Sequence, residues 1–252
     1  MNGSTQRVAL VTGASKGIGR ALACGLADAG FDVVVNDIES MRDALDAVAV
    51  EVRKKSRRAY PIIADVTRKS EVESMVAQAI EQADHIDVVV NNAGILIANS
   101  VDALREHEWD AVLDVNAKGT FLVVQAVLPH MMSRSYGRIV NIASIGGKHG
   151  APMQAHYSAS KAAVMGFTRV LAQEVGVYGI TANCVCPGII VTDMGRTNLE
   201  DPVIAQNWID KTALGRLGQP EDVVGPVCFF ASDDSAFVTG QTLNVCGGIV
   251  LS

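Results

Sequence analysis

The stretch R-V-A-L-V-T-G-A-S-K-G-I-G, residues 7–19, decides the fold of this chain. Its first six residues form a short apolar run that is typical of a buried parallel strand. A glycine-rich turn at 12–19 follows, and helical periodicity then runs through Leu22 and Leu26 to Gly30. A strand, a turn and a helix in this order expose backbone N–H groups at the positive end of the helix. The stretch predicts a place for a pyrophosphate, or else a tight connection without a ligand.

The second predicted strand, residues 32–36, ends directly before Asp37, which lies 24 residues (37 − 13) after Gly13. An acidic residue at this place can accept hydrogen bonds from both hydroxyls of an adenosine ribose. It would repel a 2′-phosphate by roughly 1 kcal/mol in water and about 4 kcal/mol near a protein surface. Asp37 therefore predicts NAD rather than NADP, unless it only caps a helix that begins near Glu39. Lys16, in the glycine turn, is the residue that would favour a phosphate.

Strand and helix patterns alternate along the chain. Apolar runs predict further strands at 59–64, 86–90, 138–143, 180–185 and 242–245, and periodic segments predict helices at 39–55, 69–83, 106–135, 157–178 and 220–231. The pattern lapses between 187 and 217, which predicts a substrate-binding loop or lid. Alternation of this kind indicates a parallel sheet with helices on both faces. We expect an α/β protein with a Rossmann-type doubly wound parallel sheet of about seven strands, in a single domain at 1–252.

Composition argues against several classes of function. The 252-residue chain has a formal net charge of −6 and no basic stripe, which argues against nucleic acid as a partner. It shows no secretory start and no apolar run near the ~20 residues that span a bilayer. Its five scattered cysteines lie in apolar patterns, without a histidine cluster at metal-ligand spacing. We expect a cytoplasmic protein with reduced thiols, no metal site, and neither nucleic acid nor membrane as partner.

A second stretch, residues 144–161, reads S-I-G-G-K-H-G-A-P-M-Q-A-H-Y-S-A-S-K. Tyr157 lies 13 residues (157 − 144) after Ser144, and Lys161 lies four residues (161 − 157) further on. If Tyr157 opens a helix, Lys161 lies one turn along the same face, where its ammonium would favour the phenolate. Ser144 follows a predicted strand, from which its hydroxyl can donate to a developing alkoxide. The spacing predicts proton-transfer chemistry, although a surface Tyr–Lys pair and a loop serine would have the same spacing.

Three other features lie where a ligand or a catalytic water is expected. The sequence N-N-A-G at 91–94 ends the fourth predicted strand with small residues that let a ligand approach, or it forms a turn without that role. Asn116 lies within a long predicted helix, where asparagine competes for backbone hydrogen bonds, and a local break that holds a water would explain it. Asp65 either contacts an adenine or starts the next helix.

These motifs, in order from residue 7 to residue 248, resemble the short-chain dehydrogenase/reductase family over essentially the whole chain. The resemblance rests on the glycine turn at 12–19, N-N-A-G at 91–94, Asn116, Ser144, Tyr157 with Lys161, and Pro187-Gly188 followed by Thr192. It implies that Tyr157 is the general acid/base and that Ser144 polarises the substrate oxygen. It implies that Lys161 lowers the pKa of the tyrosine and holds the nicotinamide ribose. Asn116 would keep a proton-relay water beside Lys161.

The resemblance also implies a cofactor site and a substrate site. The implied cofactor-lining residues are Gly13, Ser15, Lys16, Gly17, Ile18, Gly19, Asp37, Ile38, Asp65, Val66, Asn91, Asn92, Ala93, Gly94, Tyr157, Lys161, Pro187, Gly188, Ile189 and Thr192. The substrate is expected to contact Ser144, Gly146, Gln154 and Tyr157, in a pocket bordered by Ile95, Ile145, Met153, Met194 and Trp208. Lys148 and His149 either meet a polar or anionic substrate or are solvated loop residues.

The reaction implied by the resemblance moves a hydride between a carbinol carbon and a nicotinamide while Tyr157 moves the hydroxyl proton. We expect an NAD-dependent dehydrogenase of a secondary alcohol such as a polyol, sugar or cyclic alcohol. The alternative is a reductase of 3-oxoacyl thioesters on acyl-carrier protein; those enzymes typically use NADPH, and Asp37 argues against that cofactor. A third hypothesis, a family member that has become a binding or scaffold protein, conflicts with the intact catalytic residues.

The family is usually tetrameric, so the resemblance implies a homotetramer assembled partly through the helices that hold Asn116 and Tyr157. The second of these helices carries small residues that suit close packing between subunits or within one subunit: Ala159, Ala162, Ala163 and Gly166.

Overall fold

The computed structural model describes residues 6–251, which form one seven-stranded parallel sheet with helices on both faces. The strands are β1 (Val8–Thr12), β2 (Asp32–Asp37), β3 (Ala59–Ile63), β4 (Val88–Asn91), β5 (Gly137–Ile142), β6 (Ile180–Pro187) and β7 (Thr242–Val245). They pair in the order β3-β2-β1-β4-β5-β6-β7, and every pair is parallel. The strand order reverses between β1 and β4, which is where such sheets bind ligands. The predicted Rossmann-type doubly wound sheet is confirmed.

The central strands are buried on both sides. Every residue of β1, β4, β5 and β6 is buried, so burial is continuous along these strands and does not alternate from one residue to the next. Strand β7, at the edge, is only partly buried. Because both faces of these strands are buried, their sequences need no two-residue alternation of apolar and polar residues. Short apolar runs were therefore enough to predict the strands.

Ten α-helices cover this sheet in the described part of the chain. They are α1 (Gly17–Asp28), α2 (Arg42–Lys54), α3 (Lys69–Ala83), α4 (Glu106–Leu113), α5 (Gly119–Arg134), α6 (Gly146–His149), α7 (Ala155–Val175), α8 (Asp193–Leu199), α9 (Pro202–Lys211) and α10 (Val224–Ala231). Helices α1, α2 and α10 bury one face with side chains such as Leu22 and Phe230. Helices α3, α5 and α7 bury the other with side chains such as Met75 and Leu171.

The segment 187–217 is more regular than the sequence pattern suggested. It contains α8 and α9, so the expectation of an irregular stretch is wrong in this respect. The second of these helices begins with a strong local signal, because the Asp201 side chain accepts a hydrogen bond from Val203 N at 2.8 Å and Pro202 occupies the first helical turn. Both helices are short, at seven and ten residues, and no residue of α9 is buried, so the sequence carried no long periodic segment that would have revealed them.

The long helix expected at 106–135 consists of three parts. A π-helical turn, Asp114–Lys118, separates α4 from α5 and has Asn116 at its centre. Single π turns of this kind often occur at functional sites. The expected local break at Asn116 is therefore confirmed.

By length and composition, Glu106–Arg134 is the one described helical segment that would be long and apolar enough to cross a membrane. Its buried side chains, among them Val123 and Val127, pack with those of α3 and α7 on one face of the sheet. It is a core helix of this domain.

The expected absence of a secretory start depends chiefly on residues 1–5. These residues lie outside the described part of the chain. The five cysteines have free thiols, as expected for reduced residues.

Candidate active site

The carboxyl ends of the central strands bring the predicted catalytic residues together. Strand β5 ends at Ile142 and is followed by Ser144, which faces Tyr157 on α7. The Ser144 hydroxyl forms a hydrogen bond with the Tyr157 phenol, and Ser144 Oγ also accepts one from Gly146 N at 3.0 Å. A β-carbon at Gly146 would lie 3.4 Å from Ser144 Oγ and 3.8 Å from a ring carbon of Tyr157. The serine hydrogen is thus available for the tyrosine oxygen or for a substrate oxygen.

Lys161 lies one turn beyond Tyr157 on α7, as the spacing predicted. Its side chain is buried, with Nζ 5.7 Å from the centre of the Tyr157 ring. The ammonium donates a hydrogen bond to the Ile142 carbonyl oxygen at 2.8 Å. This contact fixes the lysine beside the end of β5. Helix α7 itself begins at Ala155, two residues before the tyrosine.

The pKa values of this pair differ from the expectation that Lys161 lowers the pKa of Tyr157. Burial raises the pKa of the Tyr157 phenol, and the Ser144 hydrogen bond opposes that effect only in part. Burial also lowers the pKa of Lys161 to about 8. Desolvation of the charged form is the largest cause of both shifts. The side chains of the protein keep Tyr157 as a neutral phenol at pH 7.

Asn116 is held on three sides by hydrogen bonds and is fully buried. Its Oδ1 accepts a hydrogen bond from Ile95 N at 2.8 Å, and its Nδ2 donates to Ile95 O and Ser160 Oγ, each at 3.0 Å. Ser160 Oγ in turn donates to the Tyr157 carbonyl oxygen at 2.7 Å. A β-carbon at Gly94 would lie 3.2 Å from Asn116 Oδ1 and 3.5 Å from the Lys161 Nζ. All four predicted catalytic residues thus share one site.

The glycine turn has a shape that only glycine permits. Gly13 and Gly17 have φ values of +62° and +53°, in the left-handed region. A β-carbon at Gly13 would also lie 2.8 Å from the Ala93 Cα, and one at Gly19 would overlap the Gly13 carbonyl. The backbone of N-N-A-G therefore packs directly on the turn.

Polar side chains join the same segments. Thr12 Oγ1 accepts hydrogen bonds from the N–H groups of Asn92 and Ala93, both at 3.1 Å. Asn92 Nδ2 donates to the carbonyl oxygens of Thr12 at 3.0 Å and Gly13 at 2.9 Å. Asn91 Nδ2 donates to Asn141 Oδ1 at 2.8 Å and so ties β4 to β5. The asparagines of this motif thus join neighbouring strands.

The end of β2 presents an oriented carboxylate to the turn. Asp37 Oδ2 accepts a hydrogen bond from Ser15 N at 3.1 Å, and Oδ1 accepts one from Ile38 N at 2.9 Å. The Ser15 hydroxyl is buried and has no partner among the described residues. No side chain caps α1, whose N-cap residue is Lys16. Unsatisfied N–H groups, an orphan hydroxyl and a fixed carboxylate fit the pyrophosphate and ribose of a dinucleotide.

The remaining predicted residues surround these two centres. Asp65 Oδ1 accepts hydrogen bonds from Thr67 N at 2.9 Å and Thr67 Oγ1 at 2.8 Å, which makes it the start of the turn before α3. Thr192 lies beside the glycine turn, since a β-carbon at Gly17 would be 3.4 Å from its Cγ2. Met194 lies on α8 and Trp208 on α9, while Lys148 and His149 lie on α6. Within residues 6–251, no three His, Cys, Asp or Glu side chains form a group that could hold a metal ion.

Comparison with known proteins places this geometry in a family. A family model described as enoyl-(acyl carrier protein) reductase matches residues 13–250. The chain is 42% identical over 243 residues to a 3-oxoacyl-(acyl-carrier-protein) reductase from Staphylococcus epidermidis, covering 96% of this chain and 98% of that protein. It is 44% identical over 246 residues to a hydroxy(phenyl)methylsuccinyl-CoA dehydrogenase subunit from Thauera aromatica, covering 98% and 97%.

The chain belongs to the short-chain dehydrogenase/reductase family. A gluconate 5-dehydrogenase from Burkholderia cenocepacia, solved in complex with NADP and tartrate, has the same fold with a TM-score of 0.93. That structure is 37% identical and covers 96% of this chain and 94% of its own. The protein is therefore an oxidoreductase of CH–OH groups that uses a nicotinamide cofactor.

Sequence reasoning missed the groups that hold this dehydrogenase/reductase site in place. The Ile95 backbone, the Ser160 hydroxyl and the Ile142 carbonyl were not predicted to bind Asn116 or Lys161. The position of Ser160, directly before Lys161 and on the helix of Tyr157, was the signal that the sequence offered. A buried asparagine amide needs partners for both its ends, and a nearby hydroxyl is the simplest one.

The close packing of α6 on α7 predicts a large effect of a single methyl group at Gly147. A β-carbon there would lie 2.8 Å from the Ala162 N, the Lys161 carbonyl carbon and the Met165 Cε. Two of these are backbone atoms of the catalytic helix and cannot move aside. Gly147→Ala is expected to cost about 1–3 kcal/mol in the free energy of unfolding and to lower turnover, because Ser144 and Lys161 are pushed apart.

Gly176→Ala is the matched control. Gly176 follows α7 with a helical φ of −57° and has nothing within 4 Å of its β-carbon position. That variant should be as stable as the wild type or slightly more stable, because alanine restricts the unfolded chain. Chemical denaturation of both proteins measures the difference. Equal stability of the two variants would mean that α6 can move away from α7.

Proposed function

We propose that this dehydrogenase/reductase interconverts 3-hydroxyacyl and 3-oxoacyl thioesters with NAD(H) as its cofactor. One observation carries the substrate class: two relatives that are 42% and 44% identical over nearly the whole chain are named for oxidation or reduction of acyl thioesters, one on a carrier protein and one on coenzyme A. These relatives favour the thioester alternative over the polyol, sugar or cyclic alcohol that the sequence analysis preferred.

The choice of NAD rests on Asp37. Two backbone N–H groups orient its carboxylate at the end of β2, where an adenosine ribose would lie. A carboxylate fixed in this way accepts hydrogen bonds from ribose hydroxyls and repels a 2′-phosphate. Lys16 is the opposing charge in the glycine turn. We infer that the fixed carboxylate at the ribose position outweighs the lysine, whose longer side chain is flexible.

The chemistry follows from the catalytic geometry. In the oxidative direction, Tyr157 must first lose its own proton to solvent, which burial disfavours. Its oxygen then takes the proton of the substrate 3-hydroxyl as the C3–H bond breaks. Bound NAD would supply the acceptor for the hydride that leaves C3. The Ser144 hydroxyl donates a hydrogen bond to the substrate oxygen and so holds it against Tyr157. In the reductive direction the neutral phenol of Tyr157 returns the proton, and burial, which raises the pKa of this group, keeps it in the protonated form that the step needs.

A dehydrogenase of a polyol or sugar acid is the second candidate. The structural relative that supports it is the gluconate 5-dehydrogenase, which is 37% identical to this chain. The thioester relatives have higher identity over the same length. We therefore rank the thioester first.

We also propose that the protein is a cytoplasmic homotetramer. Phe121 on α5 and Val170 on α7 have 41% and 53% of their surface exposed, and the Ala162 and Ala163 side chains beside them on α7 are exposed too. Small and apolar residues on two neighbouring helices suit close packing against the same helices of a second copy. Free thiols fit a reducing compartment.

The substrate class is tested by following nicotinamide absorbance with a panel of compounds. We expect oxidation of 3-hydroxyacyl thioesters of coenzyme A or pantetheine with NAD and slower turnover of gluconate, polyols and cyclic alcohols. The reverse assay uses NADH and 3-oxoacyl thioesters. Oxidation of a sugar acid with all thioesters inert would move the protein to the second candidate.

A further inference from the structure

Met153, four residues (157 − 153) before the catalytic tyrosine, has a backbone conformation that residues with a β-carbon rarely adopt. Its φ is +66°, in the left-handed region. The other described non-glycine residues with positive φ are Ser56, Asp84 and Ser135, which are polar and lie at the ends of helices. Left-handed residues are common there. Methionine in a loop before a helix is different, and strain of this kind persists only where the surroundings fix it.

A β-turn holds this conformation: Gln154 N donates a hydrogen bond to the Ala151 carbonyl oxygen at 3.2 Å, with Pro152 and Met153 as the central residues, and a turn of this kind accepts a positive φ at its third residue. A second contact joins this turn to the loop after β4. Asn99 N donates a hydrogen bond to the Met153 carbonyl oxygen at 2.8 Å, and Asn99 forms a parallel β-bridge with Gln154. The Asn99 side chain donates to Glu108 Oε2 and to the Ala103 carbonyl oxygen, both at 3.2 Å. We name this set of contacts the Asn99 clamp. It connects the loop after β4 to the loop before α7, and α4 anchors it through Glu108.

The Asn99 clamp completes a ring of backbone around the catalytic centre. The ring starts at Gly94, beside Lys161, and passes Ile95, whose backbone holds Asn116. It continues to Asn99 and crosses to Met153. From Met153 it runs four residues along the chain to Tyr157, on the first turn of α7. We call this ring, residues 94–99 and 153–157, the rim of the site, and Met153 is part of it.

The Met153 side chain is apolar, flexible and 51% exposed. A side chain in this state has surface left to bury against a ligand, and burial of apolar area is favourable in proportion to that area. An unbranched thioether adapts its shape to chains of different form. The backbone strain and the clamp keep this side chain at the rim instead of letting the loop relax.

We propose that Met153 selects the length of the carbon chain that extends from the reacting carbon of the substrate. The inference rests on the proposed function, in which C3 of a 3-hydroxyacyl thioester lies at Tyr157. The carbon chain beyond C3 then leaves the site past the rim and packs against the methionine. A substrate with one methyl group beyond C3 does not reach it, whereas a chain of seven carbons does.

The test compares 3-hydroxydecanoyl and 3-hydroxybutyryl pantetheine in Met153→Ala, Met153→Gly and wild-type protein. Both variants should lower the decanoyl-to-butyryl ratio of kcat/KM by about tenfold, the factor that corresponds to about 1.4 kcal/mol. Alanine removes the side chain and keeps the strained backbone, while glycine removes the strain as well. Equal losses of selectivity, with the glycine variant melting at the higher temperature, would assign the effect to the side chain.

The control is Val177→Ala, which shortens an exposed apolar side chain just beyond the far end of α7. It should keep the wild-type ratio. A wild-type ratio in both Met153 variants, or a change in the glycine variant alone, overturns the proposal. The ratio of Kd values for the two substrates is also measured by calorimetry in a Tyr157→Phe background, where we expect turnover to be at least about 100-fold slower. An inert wild type would refute the proposed function, and the Kd ratio would still decide the role of Met153.

Discussion

Tyr157→Phe is expected to lower kcat by at least about 100-fold, because general acid/base catalysis contributes typically 10²- to 10⁴-fold. The phenol is the group that exchanges a proton with the substrate oxygen, and its partners Ser144 and Lys161 stay in place when only the hydroxyl is lost. Phenylalanine fills nearly the same volume, so stability should change little. NADH binding, measured by fluorescence titration, should remain within a few-fold of the wild type.

Tyr178→Phe provides the matched control, since Tyr178 ends the 3₁₀ turn that follows α7 and is partly exposed. It should retain wild-type activity. If Tyr157→Phe kept more than a tenth of the wild-type kcat while Ser144→Ala did not, the serine and not the tyrosine would be the main proton donor. Loss of NADH binding along with activity would instead indicate that the phenol mainly positions the cofactor.

Substitution of Asp37 has the second large expected effect, on the choice of cofactor. Asp37→Ser should lower the NAD-to-NADP ratio of kcat/KM by about fivefold or more, because the repulsion that it removes is about 1–4 kcal/mol. Part of the change will come from a weaker interaction with NAD, since the carboxylate also holds Ser15 N and Ile38 N. Kinetics with both cofactors at a fixed substrate concentration measure the ratio.

Asp37→Asn separates charge from geometry. The amide removes the negative charge and keeps an oxygen that can accept a hydrogen bond from one of the two N–H groups. The kcat/KM with NADP should therefore rise while the turn keeps its shape. Asp43→Asn, on the exposed first turn of α2, should leave the ratio unchanged. If both Asp37 variants kept the wild-type preference, Lys16 or another residue of the turn would set the cofactor.

The features that the sequence predicted are those that neighbouring residues determine together. The strands were predicted as apolar runs because burial on both faces of a parallel sheet removes any alternation. Lys161 was placed beside Tyr157 because four residues make about one turn of a helix. The glycine turn was found because Gly13 and Gly17 have positive φ values, which glycine adopts far more readily than other residues. None of these features depends on distant parts of the chain.

Other features arise from contacts between residues that are far apart in the sequence. The partners of Asn116 are Ile95, 21 residues away, and Ser160, 44 residues away. No local pattern specifies such pairs, because they form only when α4, α5 and α7 pack on one sheet. The helices α8 and α9 were missed because they are only seven and ten residues long, too short for a periodic pattern to stand out.

The amino-acid sequence by itself thus predicted the seven strands and most of the helices, since these follow from local patterns. The four candidate catalytic residues were implied by the resemblance to the short-chain dehydrogenase/reductase family, and Asp37 was proposed as the ribose ligand from its position directly after the second predicted strand. The tertiary structure decided the direction of the pKa of Tyr157, because that value depends on burial more than on the lysine one turn away. It also decided that Met153 lies at the rim of the site. The hydrogen bond from Asn99 that holds Met153 there joins two loops that the folded sheet brings together.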